Sequence, residues 1–223
     1  MNEIITIAAL AALFSLDITA FGQFMISRPI VCAPLIGYML GDVRTGLWIG
    51  MTVELIWISS IPMGAVIPLE TMAVSVLSVL WGLSIRPYDT AGVMVALCVS
   101  IPAGILFRSS DILVRYMNVA IMHWVENGVK DGKEGRISLG VYSGVLLFFL
   151  KAFILYVALI YPGRKITELI YGHLAPRVLE GLRLAWFLLP VMGMGLLLVN
   201  FRNGKFPCNK IEEIGRQKGN GHE

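Results

Sequence analysis

Glu54 and Glu70 stand with Asp42 and Arg44 inside a stretch, Arg28 to Glu70, that is otherwise almost unbroken apolar sequence punctuated by glycine and proline. Ionised side chains and exposed backbone are both costly in hydrocarbon. Broken apolar segments that carry carboxylates therefore line a polar cavity within a protein bundle. The chemistry they offer is hydrogen bonding and charge pairing, and the first inference is a pathway for a polar solute. Covalent chemistry has no comparable support. The cysteines Cys32, Cys98 and Cys208 and the histidines His123, His173 and His222 are scattered. Their spacings suit neither a metal site, a thiol-redox pair nor a catalytic triad, so no catalytic residue, metal or cofactor is expected. Cys32 and Cys98 fall in apolar runs and read as small buried hydrophobes.

The elements that must hold the carboxylates are helices in a lipid bilayer. Of the 223 residues, 57% are hydrophobic and only 15% charged, with a mean hydropathy of +0.75. A soluble domain carries more charge. Several apolar stretches near bilayer length predict an all-α fold, a polytopic membrane helical bundle with re-entrant or broken helical hairpins. The net charge of +3 gives no ground for a nucleic-acid partner. Its distribution is more telling. Lys and Arg gather between Arg108 and Arg136 and in the tail at Arg202, Lys205, Lys210, Arg216 and Lys218, whereas the first 27 residues have neither. The positive-inside rule places both basic regions in the cytoplasm. Ile4 to Leu16, without a basic leading region, reads as a retained membrane segment, giving an N-out, C-in orientation.

Along the chain, the first apolar segment ends near Asp17 and a mixed stretch with Gly22 and Gln23 leads to Pro29. Ile30 to Leu40 is too short to cross about 30 Å of hydrocarbon at about 1.5 Å per residue, and Gly41 to Gly46 makes a turn-like break before Leu47 to Ile58. Two short helices folded into a hairpin fit this pattern, with Asp42 and Arg44 fixing the turn. The glycines at 37 and 41 and at 46 and 50 let backbones approach closely, either within that hairpin or in helix dimerisation. Ser59 to Gly64 forms another break, Pro68 precedes Glu70, and Arg86 to Asp89 is a short loop.

Further spans are expected at Thr90 to Phe107, Ser138 to Ile160 and Leu184 to Phe201. Between the first two, residues 108–137 place Ile112, Leu113, Tyr116, Val119, Ala120 and Trp124 at helical spacing among charges. This predicts an amphipathic cytoplasmic connector on the membrane surface, either a docking platform or a solvated link. Lys151 lies inside a span, where it must snorkel or meet a carboxylate. Residues 1–202 thus form a membrane translocator domain and 203–223 a polar cytoplasmic tail.

Five blocks carry a family resemblance: Ser27-Arg28-Pro29-Ile30-Val31; Leu35-Ile36-Gly37 through Leu40-Gly41-Asp42; Thr45-Gly46-Leu47-Trp48-Ile49-Gly50; Val53-Glu54-Leu55-Ile56-Trp57; and Gly64-Ala65-Val66-Ile67-Pro68. Asp111 to Arg115 with Asn118 and His123 adds a sixth. Together they resemble the IIC membrane subunit of the mannose/fructose/sorbose type in the bacterial phosphoenolpyruvate-dependent sugar phosphotransferase system, over roughly positions 4 to 200. The resemblance implies a permease in the bacterial inner membrane that works beside a IID membrane subunit. It would pass a hexose-type sugar to a cytoplasmic IIB subunit, itself served by IIA, for phosphorylation. It also implies non-crossing helical hairpins, movement of a core against a scaffold, a non-catalytic subunit, and a homo-oligomer of IIC-IID units in the lipid bilayer.

Within that resemblance a sugar needs directional partners for its vicinal hydroxyls, and carboxylates or amides against a low-dielectric wall supply them. Glu54, Glu70, Gln23 and Asp17 are the substrate-binding candidates. Glu54 matches the family's carboxylate before the broken segment, its alternative being a buried structural ion pair. Pro68-Leu69-Glu70 stands where the family has Pro-Asp, and Pro62 where mannose-type members offer an amide, departures that bear on which sugar is preferred. Arg28 is expected to anchor a helix start. Two other classes compete: the substrate-capturing component of a vitamin importer, and an intramembrane enzyme, which lacks facing nucleophile and base positions. A facilitator or sensor derived from the same family is a third possibility.

Overall fold

The computed structural model describes residues 2–18, 22–57, 69–85, 88–133 and 135–202. The expected break at 59–64, the blocks through Pro68 and the polar tail lie outside these residues. The described chain is helical with no strand: α1 (Asn2–Ser15), a 3-10 turn (Leu16–Ile18), α2 (Pro29–Met39), α3 (Val43–Trp57), α4 (Thr71–Gly82), α5 (Thr90–Lys130), α6 (Gly135–His173) and α7 (Pro176–Arg202). Among the described residues α5, α6 and α7 are long and apolar enough to cross a membrane.

The expected hairpin is present. Pro29 opens α2, where its missing N–H costs nothing. At 11 and 15 residues, α2 and α3 are about 16 and 22 Å long, too short to cross alone. Asp42 sets the turn as expected. Its backbone N–H donates to Gly37 O at 2.8 Å, and its carboxylate accepts from the N–H and hydroxyl of Thr45 at 3.0 and 2.7 Å. A Cβ on Gly46 would lie 2.5 Å from Ala33 O, and one on Gly50 2.4 Å from Pro29 O. Those small faces are occupied inside the chain, which decides between the two readings of the glycine spacing.

Helix α4 is the centre of the bundle. Every residue from Met72 to Gly82 is buried, with α1, α2, α3, α5 and α6 packed around it. Its serines satisfy themselves first and then link neighbours. Ser75 and Ser78 donate back to Met72 O and Val74 O, while Ser75 Oγ meets Cys32 Sγ at 3.5 Å and Ser78 Oγ meets Ser100 Oγ at 2.7 Å. Such contacts between membrane helices contribute about 0.6–2 kcal/mol each. Cys32 is fully buried as expected, but Cys98 is exposed on the bundle's outer face.

Helix α5 departs from the sequence reading. It does not end at Phe107 but runs unbroken for 41 residues, about 61 Å. Residues 108–130 are its second half, paired along the first half of α6 and not lying apart on a surface. The charges at 108–115 do not end the helix because nothing local breaks it. Ser109 and Ser110 bond back to Ile105 O and Phe107 O, and Glu126 pairs with Lys130. It stops where Gly132, at φ +76°, allows a tight reversal closed by Lys133 N–H to Gly128 O. Likewise α6 continues past Ile160 to His173, and only Leu174 and Ala175 separate it from α7.

Candidate functional site

The sequence candidates converge where α1 ends, α2 begins, α3 ends and α4 begins. Leaving α1, the chain passes through left-handed backbone at Gly22, Gln23 and Met25, with φ of +80°, +52° and +63°. Asp17 makes that loop possible. Buried at 5% exposure, its two oxygens accept from Phe24 N–H at 2.8 Å and from the N–H and hydroxyl of Ser27 at 3.3 Å. Asp17, a substrate-binding candidate in the sequence, braces the loop with both oxygens. Gln23 is exposed on that loop.

From the loop's end Arg28 reaches across the hairpin and donates to Glu54 Oε1 at 3.1 Å. Its side chain is 56% exposed and that of Glu54 only 18%. Arg28 thus anchors the helix start, as expected, and does so through a carboxylate. The pair uses half of Glu54, because among the described residues its buried Oε2 has no hydrogen-bond partner. Cys32, four residues past Arg28 on α2, meets Ser75 of α4 at 3.5 Å and so joins the hairpin to α4. Glu70 occupies the N-cap position of α4 but makes no capping hydrogen bond. Its side chain is half-buried.

A further charged pair comes from residues that the sequence reading assigned elsewhere. Asp111 of α5 and Lys151 of α6 form an ion pair whose side chains are 12% and 11% exposed. Lys151 meets a carboxylate and does not snorkel. Its Nζ sits 4.4 Å from the Phe148 ring centroid and 5.8 Å from that of Phe107. Phe107 in turn packs on fully buried Tyr156 at 4.7 Å between centroids. The signal was present in the chain. Asp111 lies 21 residues before Gly132 and Lys151 19 residues after it, so a reversal at Gly132 sets them side by side.

The opposite end of the bundle carries a second polar cluster. Asp89 caps α5 by accepting from Ala91 N–H at 3.3 Å, takes two hydrogen bonds from Arg183 at 2.9 Å and one from the Tyr171 hydroxyl at 2.8 Å. The Arg183 guanidinium, helped by Tyr171, holds the Asp89 carboxyl below the usual carboxylate range. Adjacent Tyr88 shares a 2.7 Å hydrogen bond with Thr45 and so ties the hairpin turn to the same cluster.

Known proteins match this chain along its length. The mannose-specific EIIC component of Escherichia coli (strain K12) is 26% identical over 183 residues, 82% of this chain and 67% of that protein. The fructose permease IIC component of Bacillus subtilis (strain 168) is 25% identical over 173 residues, 77% of this chain and 62% of that protein. The chain thus spans about two thirds of the length of these relatives. In architecture it is similar to a chain of the mannose transporter ManYZ solved with microcin E492, with a TM-score of 0.62, 21% identity, and coverage of 100% of this chain and 86% of that one. The model of the family described as the sorbose-specific IIC component of the sugar phosphotransferase system matches residues 1–206. Sequence pattern, helical architecture and that match agree, and the chain belongs to the sorbose-type family of phosphotransferase-system IIC permease components.

Proposed function

We propose that this IIC component carries a hexose-type sugar across the bacterial inner membrane, with Glu54 and Glu70 accepting hydrogen bonds from neighbouring ring hydroxyls and Gln23 at the approach. The observation that carries this reading is the free Oε2 of Glu54. A buried acceptor left empty is unfavourable by about 1–3 kcal/mol, and a sugar hydroxyl is a donor of the right kind. Arg28 holds the other oxygen and fixes the direction in which Oε2 points. Glu70, unused as a helix cap, adds a second acceptor set by another helix. Relatives named for mannose, fructose and sorbose handle rings of this chemistry.

In the same reading residues 1–202 are the membrane unit and a IID membrane subunit completes the pathway. A cytoplasmic IIB subunit, charged by IIA, phosphorylates the arriving sugar, and several IIC-IID units assemble together. The turn between α5 and α6 brings Lys130, Lys133 and Arg136 together. The positive-inside rule puts this tip of the 108–137 segment and the tail at 203–223 in the cytoplasm, with the N-terminus outside.

Glu54→Gln tests the reading. It keeps the shape but replaces the anionic acceptor, and uptake of labelled mannose, fructose and sorbose by the host is expected to be abolished, with membrane insertion and IID association intact. Normal uptake by this variant removes Glu54 from the pocket.

A further inference from the structure

Helix α7 has a gap in its backbone hydrogen bonding that another helix fills. Pro190 lies inside α7 and is buried. Having no N–H, it leaves the carbonyl of Trp186, four residues earlier, without its helical donor. In a membrane bundle such a freed carbonyl has to find a partner within the protein. The indole of Trp48 on α3 supplies it, donating from Nε1 to Trp186 O at 3.1 Å. The two rings pack there as well, 6.0 Å between centroids, with Phe187 edge-on to Trp48 at 6.5 Å.

A second contact lies further along both helices. A Cβ on Gly193 of α7 would stand 2.6 Å from Cβ of Leu55, so the two helices touch closely at that level. Trp48 and Leu55 are seven positions apart, as are Trp186 and Gly193. The helices therefore run parallel, joined at two rungs about 10.5 Å apart. Pro190 falls between the rungs, and Glu54 is the residue next to the second. A bend of α7 at the proline changes the direction from one rung to the other, and α3 has to follow with its carboxylate.

We infer that Trp48 is a positioning residue for sugar binding: its indole N–H stands in for the backbone donor missing at Pro190, and the joint so formed fixes the tilt of α3 against α7 and with it the aim of Glu54. The inference rests on the proposed role of Glu54 in the sugar site. A contact that only packed α3 on α7 would affect stability without a selective effect on KM.

Trp48→Phe, Pro190→Ala, their combination and Gly193→Ala in the full chain test it, through uptake of labelled mannose, fructose and sorbose by the native host and thermal melts of the purified protein. Trp48→Phe keeps an aromatic ring and loses the donor. It is expected to lower the melting temperature and to raise KM about fivefold or more, with the maximal rate within about twofold of the parent. Pro190→Ala returns a backbone N–H to Trp186 O. In that background Trp48→Phe is expected to lower the melting temperature by less than about half as much and to raise KM by less than about twofold, the non-additivity that a shared partner produces. Gly193→Ala pushes on Leu55 and is expected to raise KM by itself. Equal melting losses for Trp48→Phe in the two backgrounds overturn the exchange of one donor for the other. An unchanged KM in Trp48→Phe overturns the positioning role. Should Trp48→Phe fail to insert, Gly193→Ala decides alone, and an unchanged KM is the contrary result. Normal uptake by Glu54→Gln removes Glu54 from the pocket and ends the positioning role with it, while the melts still report whether Trp48 serves the α7 carbonyl.

Discussion

Asp89 and Asp111 sit on the same helix, each facing a cation from another one, yet their surroundings are opposite. A separation of 22 positions sets them about 33 Å apart along α5, the thickness of a hydrocarbon core. Asp89 is gripped by many hands, two hydrogen bonds from Arg183 and one each from Tyr171 and Ala91. The guanidinium is 51% exposed, so solvent screens what it contributes. Asp111 has one partner among the described residues, and neither side chain is more than 12% exposed. Pairs of the first kind tether elements, and losing one donor leaves others and water to compensate. In the second kind, removing one partner strands a charge, so the pair resists change and marks a place where charge has a use.

The largest expected effect separates the two ends. Lys151→Met is expected to destabilise the detergent-solubilised protein by about 3–5 kcal/mol, since it leaves the buried carboxylate of Asp111 without its cation. Asp111→Asn, which strands Lys151 in turn, should cost a comparable amount. Thermal melts of both variants give the answer, and a loss below about 1 kcal/mol in either would show that solvent reaches the pair.

At the other end Arg183→Gln should lower the melting temperature by no more than about a third of the Lys151→Met drop. Tyr171→Phe should lower it less again, with KM for sugar unchanged in both. A loss as large as that of Lys151→Met would show that the Asp89 cluster is sealed from water.

The smallest effect is one of pH. Since the folded-state pKa of Asp89 is depressed, the stability it adds is present above its unfolded pKa of about 3.9 and is lost as pH falls through the folded value. The gap in melting temperature between parent and Arg183→Gln should therefore hold at neutral pH and close as pH drops below about 4. A gap that widens on acidification contradicts the assignment.

How much was legible depended on how local the cause was. The α2–α3 hairpin was readable because Pro29, the Gly41-Asp42 turn and Gly46 and Gly50 act on backbone within a few residues. The extent of α5 was not, because Arg108, Asp111 and Arg115 look like the end of a membrane span, and only Lys151 on the next helix makes one of those charges tolerable. For the same reason Glu54 and Glu70 could be named as site candidates while their surroundings could not. Arg28 as the partner of Glu54 needed the hairpin to close, and Asp17 gave no sign that the loop at 22–27 would take both its oxygens. The clamp of Asp89 by Arg183 joins residues 94 apart, with no intervening pattern to announce it.

The most direct test of the central claim is a single-particle structure of this chain in complex with its IID partner and a transported sugar. The account predicts ring hydroxyls within hydrogen-bond distance of Glu54 Oε2 and of the Glu70 carboxylate. Sugar density elsewhere, with Oε2 of Glu54 filled by a protein donor in a dry helix contact, would contradict it.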